Sequence, residues 1–455
     1  MMAEISKTMG VPIEIEVENI FGDYEHLFDR STRIFVGYSG GSDSTVLLHL
    51  TCKYVDPGRV TALHVNHGLS CDADLWEQHA ERQSGELSVN FEAHRVSCQA
   101  RINTEALARD ARYSVFEKTL AEDDILLLAH HADDQAETVL YNLLRGSGST
   151  GMSGIPVMRD LGLGRLLRPF LGLTKAQIKS YATRHRLKWI EDQSNLDTSF
   201  DRNYLRHRIL PPIAERWAGH QNRIAITASQ SKNDKLLAKS IFLNDLAKLD
   251  FRNERAGISF CAKRMSTLEA IRQKNIIRQL PGELKLSLPS TRVIDEVFGV
   301  LLNARSDASP EVKADRCVFR RYRNRVYLLR VGKRSSICPK NCINWEHKKM
   351  LILPGGGSVE AESIDSQGIR LGEVKSLEIR FRLGGERCRP SGRRHSQTLK
   401  RLFQEYALEP WWRSSIPLFF LHNELVAVGD LWICEGWETA KGEKGLKIHW
   451  QVNSL

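Results

Sequence analysis

The stretch Arg33-Ile34-Phe35-Val36-Gly37-Tyr38-Ser39-Gly40-Gly41-Ser42-Asp43-Ser44 constrains this chain more than any other. An apolar run ends in paired glycines and resumes as Val46, Leu47, Leu48 and Leu50. That pattern reads as a buried strand, a tight turn and a helix opening near Ser44. Gly40 and Gly41 carry no Cβ, so the backbone there can approach a ligand closely. The helix that follows offers free N–H groups and the positive end of its dipole. Together these suit an anion, phosphate above all. The lysine and spacing of a G-x-x-x-x-G-K-[ST] loop are missing. An ordinary Gly turn in a βα unit is the bland alternative, and the position between strand and helix weighs against it.

The rest of the first half repeats the βα pattern. Strands are expected at residues 34–38, 60–65, 91–96 and 125–129, the last a continuous apolar run of the kind covered on both faces. Helices fall between them; the clearest starts at the N-cap Thr104 and runs through Leu107, Ala111, Tyr113, Phe116 and Leu120. This alternation predicts an α/β fold with a doubly wound parallel sheet. Ligands in such sheets sit beyond the carboxyl ends of the strands. The Ser39 loop, Asn66-His67-Gly68 and His130-His131 should therefore face one crevice. Arg145-Gly146-Ser147-Gly148-Ser149-Thr150-Gly151 reads as a flexible loop, a helix follows the Thr174 cap, and Pro211-Pro212 reads as a stop.

These signals divide the chain into a leader of unclear role (1–30), the α/β domain (31–225), a small, mainly helical middle domain (226–350) and a C-terminal α+β domain (377–455). Within the middle domain, residues 317–330 suit an antiparallel hairpin. A chain of 455 residues is long enough for several cores. A net charge of +10 and a pI near 9.1 point to a polyanionic partner. Nine cysteines without a C-x-x-C pair argue against a disulfide framework or a zinc ribbon. No apolar run suits a secretory signal or a membrane span, so a reducing cytoplasm is the expected compartment.

The string His130-His131-Ala132-Asp133-Asp134-Gln135-Ala136-Glu137-Thr138 opens a helix after the fourth strand. Its spacing crowds Asp133, Asp134 and Glu137 into one region. Carboxylates that close need a cation, and magnesium would serve beside a nucleotide. The alternative is helix capping by the aspartates, with a histidine packed at the strand end. Further on, Glu191-Asp192-Gln193-Ser194-Asn195-Leu196-Asp197 leads to Arg202-Asn203-Tyr204-Leu205-Arg206. Arg202 and Arg206 share a helix face and could grip phosphates, or could pair with the acids before them.

Ser-Gly-Gly-x-Asp-Ser resembles the PP-loop of the ATP pyrophosphatases, which cleave ATP to AMP and pyrophosphate. Several strings come in one order: the Ser39 loop, Asn66-His67-Gly68-Leu69, Glu105 with Ala108-Arg109 and Arg112-Tyr113, His130 to Thr138, Arg145-Gly146-Ser147-Gly148, and Glu191-Asp192-x-Ser194-Asn195 through Arg202-Asn203 and Arg206. In that order they resemble the tRNA(Ile)-lysidine synthetase family. The resemblance covers residues 30–215 strongly and 380–420 more weakly. It implies that ATP adenylates the wobble cytidine of a CAU-anticodon tRNA(Ile), and that free L-lysine then displaces AMP.

The resemblance assigns ATP to Ser39, Gly40, Gly41, Ser42, Asp43 and Ser44, with Asp43 also linking Mg2+ to the phosphates. Asp43, Asp134, Glu137 and Arg112 become the catalytic candidates. Arg202, Asn203, Arg206, Arg387, Arg389, Arg393 and Arg394 become the tRNA contacts, and a homodimer is allowed for. Residues 380–401 hold eight Lys/Arg and one acid, Glu386, which reads as phosphate contact. Arg320, Arg321, Arg323 and Arg325 form a second basic cluster or a solvated hairpin face. Trp411-Trp412 could stack on bases, although beside Ile416-Pro417-Leu418-Phe419-Phe420 a core position is preferred. The rivals are a tRNA thiolase, for which Cys52, Cys71 and Cys98 are too scattered, and a non-catalytic nucleotide-gated RNA-binding protein.

Overall fold

The computed structural model describes residues 25–68, 72–96, 104–191, 196–304, 308–332, 342–354, 357–365, 367–370 and 375–452. Leu69, the Glu105 side chain, Asp192, Ser194, Asn195 and leader residues 1–24 lie outside the described residues. The chain divides into two compact units, Met1–Leu236 and Leu237–Leu455.

The first unit is built on a six-stranded sheet. Its strands are β1 (Ile34–Gly37), β2 (Val60–Asn66), β3 (Asn90–Arg95), β4 (Ile125–Leu127), β5 (Met158–Leu161) and β6 (Gly164–Leu167), in the order β3-β2-β1-β4-β6-β5. All neighbours are parallel except the β5/β6 hairpin. The four expected strands are present. The hairpin escaped the sequence reading because its strands are short and its turn rests on one residue. Gly162 has φ +59°, and a Cβ there would lie 2.5 Å from the Glu117 carbonyl oxygen.

Burial shows why the sheet is doubly wound. Ile34 and Val36 pack with Val46, Leu47, Leu50, Ile178, Tyr181 and Ala182, residues of helices Ser42–Tyr54 and Lys175–Arg184. Phe35, whose side chain points the other way, packs with Phe116 and Leu120 at the end of helix Thr104–Thr119. A strand with apolar side chains on both faces needs helices on both faces. The strand order reverses at β1, which has β2 on one side and β4 on the other. In an open parallel sheet that reversal opens the ligand crevice.

Three expectations need correction. The leader does not extend to residue 30: helix Glu25–Arg30 buries Leu27 and Phe28 in the same core as β1, and Arg59 donates to the carbonyls of Phe28 and Ser31. The Gly-Ser loop holds a helical turn, Ser149–Met152, tied down by Asn142 Nδ2 donating to the Gly151 carbonyl at 2.8 Å. Pro211 and Pro212 open helix Leu210–Arg216 and do not stop one, because the first helical positions need no N–H donor.

The long helix His220–Leu246 carries the chain into the second unit. Helices Ala270–Glu283 and Thr291–Glu296 form there, and the expected hairpin pairs Cys317–Tyr322 with Arg325–Arg330. Strands Arg252–Glu254, Gly257–Cys261 and Glu311–Ala314 complete a five-stranded antiparallel sheet around that hairpin, so this region is less purely helical than its spacing suggests. Ile343–Glu346 pairs with Ser376–Arg380, and Ser358–Asp365 with Lys444–Gln451. Residues ahead of 377 therefore belong to the C-terminal sheets, which pack on helix Leu399–Glu405. Trp412 is only 4% exposed in that core, and Trp411 meets Tyr327 edge-on, so the core reading of the pair holds.

Candidate active site

The glycine loop leaves β1 and turns at Gly40, whose φ of +80° is left-handed and costs a residue with a Cβ strain. Its carbonyl accepts from the Ile190 N–H at 2.9 Å. Gly41 caps helix Ser42–Tyr54 with no side-chain bond to the first turn, so nothing at that cap competes with a ligand for the helix N–H groups. Ser44 works inward: its Oγ accepts from Ser39 N–H at 3.2 Å and donates to the Gly41 carbonyl at 3.1 Å. Of the three serines, Ser44 shapes the loop, while Ser39 and Ser42 lie at its partly open rim.

β4 delivers the second wall. His131 caps helix Ala132–Leu144 in a reciprocal box: its backbone N–H donates to Asp134 Oδ2 at 3.0 Å, and Asp134 N–H donates to His131 Nδ1 at 3.4 Å. The capping alternative raised by the sequence is thus correct for Asp134, which nonetheless faces the site. His131 Nε2 reaches Asp43 at 3.8 Å and Asp134 at 3.4 Å, joining the two walls. Burial would lower the His131 pKa, but Asp133, Asp134 and Asp43 outweigh it and hold it above the ordinary value.

Besides His131, two cations sit among four carboxylates here. Lys175 Nζ donates to Asp43 at 2.6 and 2.5 Å and to Ser42 Oγ at 3.0 Å, while its backbone N–H donates to Asp133 at 2.8 Å. Arg206, on the π-helical turn Leu205–Ile209, forks onto Glu137 at 2.6 and 2.9 Å and reaches Asp134 at 3.2 Å. Burial pushes the Glu137 carboxyl above its usual range despite Arg206. Asp133 and Asp134, by contrast, are held low: burial opposes ionisation, but His131 and the neighbouring donors prevail.

The structure brings together Asp43, Asp134, Glu137 and Arg206 and leaves other candidates outside that network. Arg206 directs its fork at Glu137 and Asp134, the acid-pairing alternative realised with carboxylates of the His130–Thr138 string. Arg202 donates to Thr138 Oγ1 at 3.4 Å and Asn203 to the Asp197 carbonyl at 2.9 Å. Arg112 bonds His67 Nε2 at 3.2 and 3.1 Å. Burial, then Arg112, lowers His67 to about 4. It is therefore a neutral acceptor beyond β2.

Sequence reasoning missed Lys175 and Arg168. A lysine in the first turn of a Thr-capped helix faces the positive dipole end, an unfavourable place that signals a nearby anion. Arg168 is 3% exposed and ties down the segment after β4 through His130 Nδ1, Tyr113 OH and the Pro156 carbonyl. Among the described residues no group of three or more His, Cys, Asp or Glu is arranged to hold a metal. Asp43 offers one carboxylate beside the loop, which fits a magnesium ion held by a single carboxylate plus substrate phosphates.

The basic segments are more neutralised than their sequence suggests. Arg389 pairs with Glu435 at 3.0 Å, Arg393 with Glu405 at 2.6 Å, and Arg387 donates to the Ser396 carbonyl at 2.9 Å. Arg394 and Lys400 are exposed and make no ion pair among the described residues. The second cluster is structural: Arg320 binds Glu311, Arg321 the carbonyls of Leu301 and Leu302, Arg323 the Gln404 carbonyl and Arg325 Asp250. Among the described residues no helix is long and apolar enough to cross a membrane.

Comparison with known proteins agrees with this layout. Residues 9–213 match the PP-loop domain, 260–327 the TilS substrate binding domain and 377–450 the TilS substrate C-terminal domain. A tRNA(Ile)-lysidine synthase of Coxiella burnetii is 37% identical over 90% of this chain and 91% of that one. Those of Legionella pneumophila (strain Lens) and Serratia proteamaculans are each 34% identical, over 87% and 92% of this chain and 90% and 95% of theirs. With matches to three family domain models and identity above 30% along nearly its full length, the chain belongs to the tRNA(Ile)-lysidine synthase family.

Proposed function

We propose that this chain ligates free L-lysine to position two of the wobble cytidine in CAU-anticodon tRNA(Ile), consuming ATP and releasing AMP and pyrophosphate. The observation that carries the reading is the junction of the glycine loop with the carboxylate cluster through Asp43, Lys175 and His131, in a chain of this family. ATP is held by the loop: N–H groups at the start of helix Ser42–Tyr54, with Ser39 and Ser42, bind the phosphates and stabilise charge on the departing pyrophosphate. Magnesium bound at Asp43 would neutralise that charge. Lys175 pairs with Asp43, and its ammonium lies beside Ser42, within reach of incoming phosphates.

The second step needs a lysine amine stripped of its proton at the activated base. Asp134 and Glu137 are the carboxylates available to receive the substrate ammonium, and Arg206 sets their orientation. Glu137, with its raised pKa, is the better proton acceptor of the two. Arg112, Arg202 and Asn203 contact the RNA around the target base. The hairpin carrying Arg387, Arg389, Arg393 and Arg394 holds tRNA outside the anticodon. Its surface ion pairs contribute only about 0.2–1 kcal/mol each and exchange readily for phosphate. A reducing cytoplasm, where tRNA is, is the proposed compartment. Incubation with tRNA(Ile), ATP and labelled lysine should place label in the RNA; folded protein and intact tRNA without incorporation would refute the reading.

A further inference from the structure

Cys388 and Cys434 stand 46 positions apart, yet their Sγ atoms are 2.7 Å apart. Both side chains are buried, and the Trp432 indole N–H donates to Cys388 Sγ at 3.3 Å. The Cys434 thiol lowers the Cys388 pKa against the effect of burial, and the indole bond adds to that, so Cys388 is the sulfur that ionises more readily. Elsewhere burial pushes Cys52 and Cys317 up to about 11, leaving them poor nucleophiles.

The pair sits at a mechanically meaningful place. Cys388 closes strand Arg387–Cys388, which pairs with Gln397–Thr398; the turn between them carries Arg389, Arg393 and Arg394. Cys434 follows strand Trp432–Ile433 and bridges Pro390. The two segments are already laced together: Ser391 N–H donates to the Ile433 carbonyl, Glu435 N–H to the Arg389 carbonyl and Gly392 N–H to Glu435 Oε2. We propose that Cys388 and Cys434 form a reversible oxidation site, whose disulfide fastens the arginine-bearing hairpin 387–398 to segment 432–438.

The oxidant is a small hydroperoxide, hydrogen peroxide being the simplest. The Cys388 thiolate attacks one peroxide oxygen, the O–O bond breaks, and protonation releases water and leaves a sulfenic acid. Cys434 sulfur then attacks that sulfur; the S–S bond forms, the S–O bond breaks and a second water leaves. Two thiols lose two electrons and two protons, and one peroxide becomes two waters. A dithiol reverses the change by exchange. A reducing compartment keeps the pair as thiols, so the bond reports oxidative conditions.

The test treats the full chain with hydrogen peroxide, blocks remaining thiols with N-ethylmaleimide in denaturant, and maps peptides by mass. A linked Cys388–Cys434 peptide, released by dithiothreitol and absent from Cys388→Ser, is expected. Oxidation should raise the melting temperature of the second unit by roughly 5–15 °C, because the bond closes a long loop in the unfolded chain. On the proposed reading, tRNA affinity is retained, since the arginines keep their places. Alkylation of both cysteines after peroxide, or linkage to other cysteines, overturns the site whether or not the chain binds tRNA. A linked protein whose melting is unchanged, or whose tRNA affinity falls severalfold, overturns the fastening.

Discussion

Replacing Arg206 with methionine removes the only side chain bonded to both Glu137 and Asp134 among the described residues. The Glu137 side chain is 3% exposed, so its carboxylate would be left buried and unpaired. Breaking a buried pair on one side costs about 3–5 kcal/mol. Arg206 is itself 36% exposed, and water entering its place offsets part of that cost, so about 2–3 kcal/mol is expected. That corresponds to a fall of roughly 4–12 °C in the melting temperature of the first unit, read by calorimetry. The loss must depend on pH. The Glu137 pKa is already raised, and removal of Arg206 raises it further. Below that value the side chain is protonated and the penalty is small; as pH rises through it the penalty grows to its full size. Adding Glu137→Gln to the variant removes the stranded charge and should recover at least about 1 kcal/mol. A variant that melts within about 1 °C of the parent, or one whose penalty does not change with pH, would refute the clamp.

Asp43→Asn should abolish lysine incorporation and leave tRNA binding, measured by filter retention, intact; loss of both would show that Asp43 mainly holds the fold. Lys175→Met should weaken binding of pyrophosphate and ATP by about 10–100-fold in calorimetric titrations, the value of charge-assisted hydrogen bonds, while AMP binding changes little. His131 has a raised pKa, so its contribution to stability is complete below the ordinary histidine value and is lost as pH rises through the folded one. His131→Asn should remove that loss, flattening stability against pH above the ordinary histidine value in urea titrations. Arg394→Ala with Lys400→Ala should lower the slope of log affinity for tRNA against log salt by about 0.7 for each phosphate the protein no longer neutralises.

The strand–glycine–helix unit, the βα alternation and the approximate place of the crevice were legible in the sequence, because each rests on local periodicity and on backbone that only glycine tolerates easily. Asp43, Asp134 and Glu137 were legible as a group for the same reason: their spacing from strand ends fixes which end of the sheet they occupy. Partner choice was not. Spacing left Arg206 open to phosphates or to nearby acids; only the fold brings Glu137 within 2.6 Å of it. Lys175 drew no notice because the carboxylate that explains it lies 132 positions away. The basic segment 380–401 contains one acid, yet Glu405 and Glu435 from outside it neutralise Arg393 and Arg389. The pairing of Cys388 with Cys434 belongs to the same class. Sequence determines which groups a chain carries and which turns they ride on; which charge meets which, and which sulfur meets which, is decided only when distant segments are folded together.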